Sequence, residues 1–525
     1  MVALYGCGGG GGDGGGGDAN PQSDQQTNNN RNNSNNANNG TTPDSTVEGT
    51  TLVADKIAQY GGTRTSHKVT LDDSGKAVAM WLDGGQSLMA AETGTDERWS
   101  APQSVTATAW ARFDIQTNRA GQRVALALEY PQGGTEPAPQ VVFYRPETGW
   151  SARILAKGRL MDIAMPNDVG NASLTVLEDG SATFVTRENS SSGFSKFPFE
   201  ALRVLQDGTQ SVVLEGLGLD RTGQLLTNGS SAPLGAAFAV APRSGEMPPY
   251  GYLVYQNIVA GRAHQAVDLY GTVNITGALV IRPQTTMSAT NIDVFSDPNY
   301  WASKQNCVKD LVRAASVDDL YAVALSAGIS TASGAKCSLN ATRINRFVRS
   351  NGDKIKTDAL SAADASVETA QLMMDSKGNS LVIWREKATS TSKPRYMWSQ
   401  SLGYGTWTFP ADISSSLALG ENVLKGLEVR LNDQGRAVAA IATQVLDEKG
   451  SSLRRNVSYA KFDFQNGWGK PVEIAKFSGL QSSEIEISAA INHAGKAMVT
   501  YQLPRCFVSQ NSNECRVSSM YSYSL

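Results

Sequence analysis

Long apolar runs are missing from this sequence. Nowhere do 18 or more apolar residues follow one another, so no transmembrane helix is expected. Charge of one sign is missing as well: 46 Lys and Arg face 49 Asp and Glu, for a net charge of -3 and a pI near 5.8. A nucleic-acid binder carries a basic patch, and no Lys/Arg run occurs here, so nucleic acid is not expected as a partner. Histidine is scarce, with three in 525 residues, and cysteine has five. There is no CxxC, no HExxH, no GxxxxGK[ST] and no GxSxG. The signatures of zinc sites, phosphate-binding loops and nucleophile elbows are therefore absent. Matches to GxGxxG inside residues 8–17 follow from composition alone, because every residue there except Asp13 is Gly.

The N-terminus carries a more specific signal. Leu4-Tyr5-Gly6-Cys7 resembles the lipobox of bacterial lipoproteins, with Leu three positions before the cysteine and a small residue just before it. That resemblance implies lipidation of Cys7 and residues 1–7 as the remnant of a signal peptide. Only Val2, Ala3 and Leu4 supply an apolar stretch, so a fuller leader is expected in the precursor. Residues 8–49 are Gly-rich and then Asn-rich, too polar to bury surface that offsets chain entropy, and are read as a disordered tether. The residue after Cys7 is Gly8 rather than Asp, which resembles the outer-membrane sorting pattern. The implied location is the bacterial cell envelope, lipid-anchored to the outer membrane and either periplasmic or surface-exposed. Cys307, Cys337, Cys506 and Cys515 then remain, an even set that fits disulfides in an oxidising compartment. Pairing Cys307 with Cys337 and Cys506 with Cys515 keeps each bridge local.

Residues 50–525 are organised by a repeat. Val69-Thr-Leu-Asp-Asp-Ser-Gly75-Lys-Ala77-Val-Ala-Met-Trp81 has counterparts at 431–441 and 491–501, with looser copies centred on Gly121, Gly180 and Gly378. An alternating strand runs into a polar turn with Gly where a positive φ is needed, and a continuously apolar strand leaves it. A second marker follows: Trp99-Ser-Ala-Pro102, Trp407-Thr-Phe-Pro410 and Trp468-Gly-Lys-Pro471, with a variant at Trp150. A third strand lies between the markers, such as 140–144 or 457–462. Pro is placed in the fourth strand as an outer edge, where its missing N–H does no harm. Four strands in ~50–60 residues are a propeller blade.

The fold expected is therefore all-β: a β-propeller of eight four-stranded blades, with seven as the runner-up. Blades are delimited at 66–108, 109–159, 160–215, 366–420, 421–480 and 481–525, and two enlarged ones fill 216–365. The ring is expected to close by residues 51–57 pairing with 517–525 as the missing fourth strand, which removes an exposed edge. This grammar loosely resembles sialidase-like repeat propellers of bacterial surface proteins, and the resemblance implies architecture only.

Chemistry is thinner. Asp73-Ser-Gly75, Asp375-Ser-Lys-Gly378 and Asp433-Gln-Gly435 invite comparison with the sialidase Asp-box, but the aromatic follows Gly by six positions rather than three, so a plain hairpin turn is the reading. No turn extends to the Glu of an EF-type calcium loop. His67, His264 and His493 fall in different units, and His493 is read as a solvated turn residue. No catalytic residue, metal or cofactor is expected. The chain is read as a monomeric binding or scaffolding propeller for an unknown protein or glycan, touching the membrane through its anchor alone. The alternatives are a sialidase-like glycan hydrolase and a purely structural envelope protein. Recognition is expected on the insertions 247–252 and 293–307 through Tyr250, Tyr252, Tyr300 and Trp301. The competing reading is that these aromatics pin down their own loops.

Overall fold

The computed structural model describes residues 51–525 apart from connecting segments, the longest of which are 157–173, 187–198, 217–234, 241–250, 294–311 and 346–355. Residues 42–525 form one compact unit. Cys7 and the tether fall outside the described residues.

The chain folds into successive antiparallel sheets built on four strands in chain order, with short added strands in the sheets of 110–155 and 423–478. They span 67–106, 110–155, 175–216, 235–293, 312–359, 367–412 and 423–478, and a closing sheet combines 486–524 with Asp55–Gly61. The sheets adjoin one another in chain order. The innermost strand of the closing sheet, Glu486–Ile491, lies against that of the first, His67–Leu71, so the ring is complete. This is a β-propeller.

The closure departs in register from the sequence expectation. Asp55–Gly61, not 51–57, is the strand added to Ser512–Ser524, with Asp55 opposite Ser522 and Gly61 opposite Val517. Thr51–Leu52 instead pairs with Val472–Ser478 and caps the outer edge of the neighbouring sheet. Two strand edges are thereby covered by one N-terminal segment. The prolines differ too. Pro102, Pro410 and Pro471 stand just before the fourth strands Gln103–Thr106, Ala411–Asp412 and Val472–Ser478, not within them, so no ladder N–H is lost. The large middle segment carries an additional hairpin, His264–Asp268 with Gly271–Ile275, between the second and third strands of its first sheet.

The second strands explain the apolar runs. Every residue of Ala77–Leu82 is buried, because one face packs on the preceding sheet and the other on the following one. Val78 and Met80 meet Phe113, Ala125 and Val142 of the next sheet, while Ala79 and Trp81 meet Met520 of the closing sheet. The same holds for Val438 and Ala440 against Val499 and Tyr501. The core is thus a series of layers between blades, not one central mass. The tryptophan markers serve these layers: Trp150 packs on Tyr144 at 5.0 Å, Trp468 on Phe462 at 4.9 Å, and Trp99 Nε1 donates to Ser522 Oγ at 2.7 Å across the closure.

Candidate functional site

Alternating strand direction puts all turns between first and second strands on one face of the ring, together with those between third and fourth strands. The first-to-second turns are the innermost, so they surround the end of the ring's axis, here called the axial mouth. Six of them share one layout: Asp72 to Gly75, Asn118 to Gly121, Leu177 to Gly180, Asp375 to Gly378, Asn432 to Gly435 and Asn492 to Gly495. All six glycines have φ between 77° and 91°, a conformation that is strained for other residues. At Gly435 a Cβ would also stand 2.7 Å from Asp375 Oδ2 of the preceding blade.

The first turn position is buried in all six. Its Asx side chain caps the turn: Asp72, Asn118, Asp375, Asn432 and Asn492 each accept, through Oδ1, from the backbone N–H of the residue after Gly. The asparagines also reach sideways. Asn118 Nδ2 donates to Leu177 O at 2.9 Å, Asn432 Nδ2 to Asn492 O at 2.8 Å and Asn492 Nδ2 to Asp72 O at 2.9 Å. Blade is thus tied to blade around the mouth. Asp72 has no amide to give, and Arg123 of the next blade completes that link.

The second turn position points outward. It holds Asp73, Arg119, Glu178, Ser376, Asp433 and His493, each exposed or half-buried. Four of them, from four consecutive blades, meet. Arg119 reaches over two intervening blades to form an ion pair with Asp433, and its Nη2 stands 2.8 Å from His493 Nδ1. His493 Nδ1 is hydrogen-bonded to Asp433 Oδ1, its Nε2 lies 3.0 Å from Gln434 Nε2, and its backbone N–H donates to Asp73 Oδ1 at 3.0 Å. Both ring nitrogens are satisfied when Nδ1–H donates to Asp433 and Nε2 accepts from the Gln434 amide. A guanidinium, an imidazole, carboxylates and a primary amide therefore converge at the mouth.

A second polar layer lies about 13 Å down the strands, four residues before the first turn position at ~3.3 Å each, at Lys68, Glu428 and Ser488. Lys68 Nζ donates to Glu428 Oε2 at 3.1 Å, spanning the intervening blade, whose Ser488 Oγ donates to Glu428 Oε1 at 3.3 Å. Arg430 Nη2 donates to Glu428 Oε1 at 2.9 Å. Burial disfavours the Glu428 charge, but Lys68 and Arg430 favour it more, and the carboxyl is held below its ordinary range. A depressed folded value means stability that is complete above the usual 4.5 and lost as pH falls through the folded value. Glu428→Gln should therefore flatten the acid limb of the thermal stability curve below about pH 4.5. Parallel curves for the two proteins would discard the claim.

The sequence-derived candidates are not gathered here. Tyr250, Tyr300, Trp301 and Cys307 lie outside the described residues. Tyr252, expected in a loop, is the second residue of the strand Gly251–Asn257, paired with Ala239 and Pro283. Cys337 is in the strand Lys336–Asn345 opposite Ile329. Cys506 and Cys515 lie opposite each other in the paired ladder of the strands Ala497–Ser509 and Ser512–Ser524. The axial cluster was missed. The sequence places His493 and Asp433 in their turns but does not bring them together or single out Arg119, and the available signal is their shared position two residues before the turn Gly. Among the described residues no group of three or more His, Cys, Asp or Glu could hold a metal ion.

No protein-family description matches the chain, and no curated relative does. Several solved structures are similar. A protein of unknown function from Dyadobacter fermentans shares 9% identity at a TM-score of 0.36, over 90% of this chain and 99% of its own. A polysaccharide lyase of family PL25, an ulvan lyase, shares 9% at 0.41, over 88% and 94%. The β-propeller domain of the trilobed protease from Pyrococcus furiosus, with an open velcro topology, shares 10% at 0.36, over 75% and 91%. Similarity this low leaves the fold resting on the strand pairing above, and it carries nothing about activity.

Proposed function

We propose that the protein is a tethered binding propeller that holds a polar ligand at the axial mouth and turns nothing over. The convergence of Arg119, Asp433, His493 and Asp73 at one mouth carries this reading. These groups satisfy one another, so none is poised as a nucleophile or as an acid–base pair with an open proton path. The ring is read as eight blades, with seven as the alternative count; the four-stranded sheets taken in chain order, with Asp55–Gly61 completing the last, support eight. The test is a glycan and peptide array probed with the full chain and with an Arg119→Ala/His493→Ala variant. Hits that weaken tenfold or more in the variant are expected, with no cleavage products. Hits indifferent to the variant would place recognition elsewhere.

A second reading is favoured by one observation. A histidine oriented by a carboxylate, as His493 is by Asp433, is the arrangement of a general base. Release of reducing ends or unsaturated products from any bound glycan, abolished by His493→Ala, would turn the reading to a glycan-acting enzyme. A propeller that binds nothing on the array would favour a structural envelope role.

The anchor and the bridges complete the proposal. Cys7 carries lipid in a precursor with a full signal peptide, and the propeller works in the cell envelope on its tether. Cys7→Ser or globomycin treatment of such a precursor should shift membrane fractionation. Cys506 and Cys515 form a disulfide, a pairing supported by their opposed register, and Cys307 pairs with Cys337. Each bridge is expected to contribute ~2–4 kcal/mol. Non-reducing peptide mapping that finds four free thiols refutes both the bridges and the oxidising compartment.

A further inference from the structure

We infer that the axial mouth recognises an acidic saccharide, one oxyanion at a time, and that Asp433 occupies the oxyanion position when the mouth is empty. The inference rests on the mouth being the binding site. Arg119 comes from the blade of 110–155 and reaches the turn of the 423–478 sheet, passing the turns of the two blades between them. Side-chain exposure is 42% for Arg119, 26% for Asp433 and 34% for His493. An ion pair this accessible is weakly held, because water screens it and two side chains lose freedom to form it. An incoming carboxylate or sulfate can take the place of Asp433 on the guanidinium fork at little cost, and guanidinium planarity suits a bidentate oxyanion.

The rest of the mouth limits the ligand further. Asp73 and Asp433 place negative charge beside Arg119 and His493, so a densely anionic chain such as an acidic peptide is repelled. A sugar acid offers one oxyanion per ring beside several hydroxyl donors. Those hydroxyls can bond to the same carboxylates and to the Gln434 amide oxygen. Sparse charge with many donors is the pattern that this mixed site fits.

The experiment is calorimetric titration of the full chain with an oligogalacturonate hexamer, a sulfated neutral hexamer, an uncharged hexamer and hexaglutamate. The variants are Asp433→Asn, Asp433→Ser, Arg119→Ala and Arg119→Lys, each checked for an unchanged thermal transition. Removing the internal competitor should tighten oligogalacturonate binding by about three- to tenfold in both Asp433 variants. Arg119→Ala should abolish it, and Arg119→Lys should weaken it by losing the fork. The sulfated hexamer separates sulfate from carboxylate as the oxyanion source. Equal, Arg119-dependent binding of the uncharged hexamer overturns the acidic class and leaves the mouth reading intact. Tightest binding of hexaglutamate overturns the saccharide assignment. Oligogalacturonate binding that ignores both Arg119 and Asp433 overturns this inference and the mouth reading together. Failure of both anionic hexamers to bind the Asp433 variants overturns the inference alone.

Discussion

Replacing Arg123 with methionine is expected to cost about 3–5 kcal/mol of folding stability, the range for breaking a buried ion pair on one side. Arg123 is fully buried. Its Nη2 donates to Asp72 Oδ2 at 3.1 Å and Lys76 O at 2.9 Å, its Nε to Thr70 Oγ1 at 3.1 Å and its Nη1 to Gly121 O at 2.8 Å. The guanidinium also lies 5.0 Å from the Tyr144 ring centre. Burial pushes it toward the neutral form and Asp72 pulls it back. Methionine fills much of the volume but leaves Asp72 as an uncompensated buried carboxylate. That carboxylate, rather than the lost packing, should dominate the loss. The double variant Arg123→Met/Asp72→Asn should then recover much of it, because asparagine at that turn position is what three of the sister turns, at Asn118, Asn432 and Asn492, already use. Chemical denaturation of the four proteins of the cycle measures this. A single variant within 1 kcal/mol of the parent, or a double variant no better than the single, would sink the account. The neighbouring groups strengthen the seam: Tyr144 Oη donates to Glu92 Oε2 at 2.6 Å, and Lys76 Nζ is 2.6 Å from the same carboxylate.

Deleting residues 51–61 should be the most damaging change outside the core. It strips six paired positions from Ser512–Ser524 and uncovers the edge of Val472–Ser478 as well. At ~0.2–1 kcal/mol per cross-strand pair, the closing strand alone is worth about 1–6 kcal/mol. The larger effect is on solubility, since two bare ladders invite edge-to-edge association. A peptide covering 50–62, added in trans, should restore the thermal transition by adding the missing strand. A deletion protein that stays monomeric with an unchanged transition would show that the closure contributes nothing.

Much of the architecture was legible before any coordinates. The turn glycines at 75, 121, 180, 378, 435 and 495 were readable as positive-φ positions because the hairpin physics is local: an Asx cap, a polar turn and a Gly lie within a few residues. The doubly buried second strands were readable for a similar reason, since burial on both faces removes the usual alternation from Ala77–Leu82. The closing strand was readable in kind but not in register. Val53-Ala-Asp-Lys-Ile57 resembled a fourth strand, yet the pairing starts at Asp55, and three residues earlier, at Leu52, the chain serves a different sheet. Register is set by which side chains the partner strand accepts, and that partner lies at the far end of the chain.

The axial cluster shows the sharper limit. By itself the sequence determined that six of the units would present a short polar turn with Gly at a positive φ. It could not say that Arg119, Asp433 and His493 would meet. That depends on how many blades stand between them, how tightly the inner strands curve and which way each turn leans, and all three are decided by packing between sheets. Local hydrogen bonds specify a turn, whereas the distance between two turns separated by hundreds of residues exists only once the ring has closed.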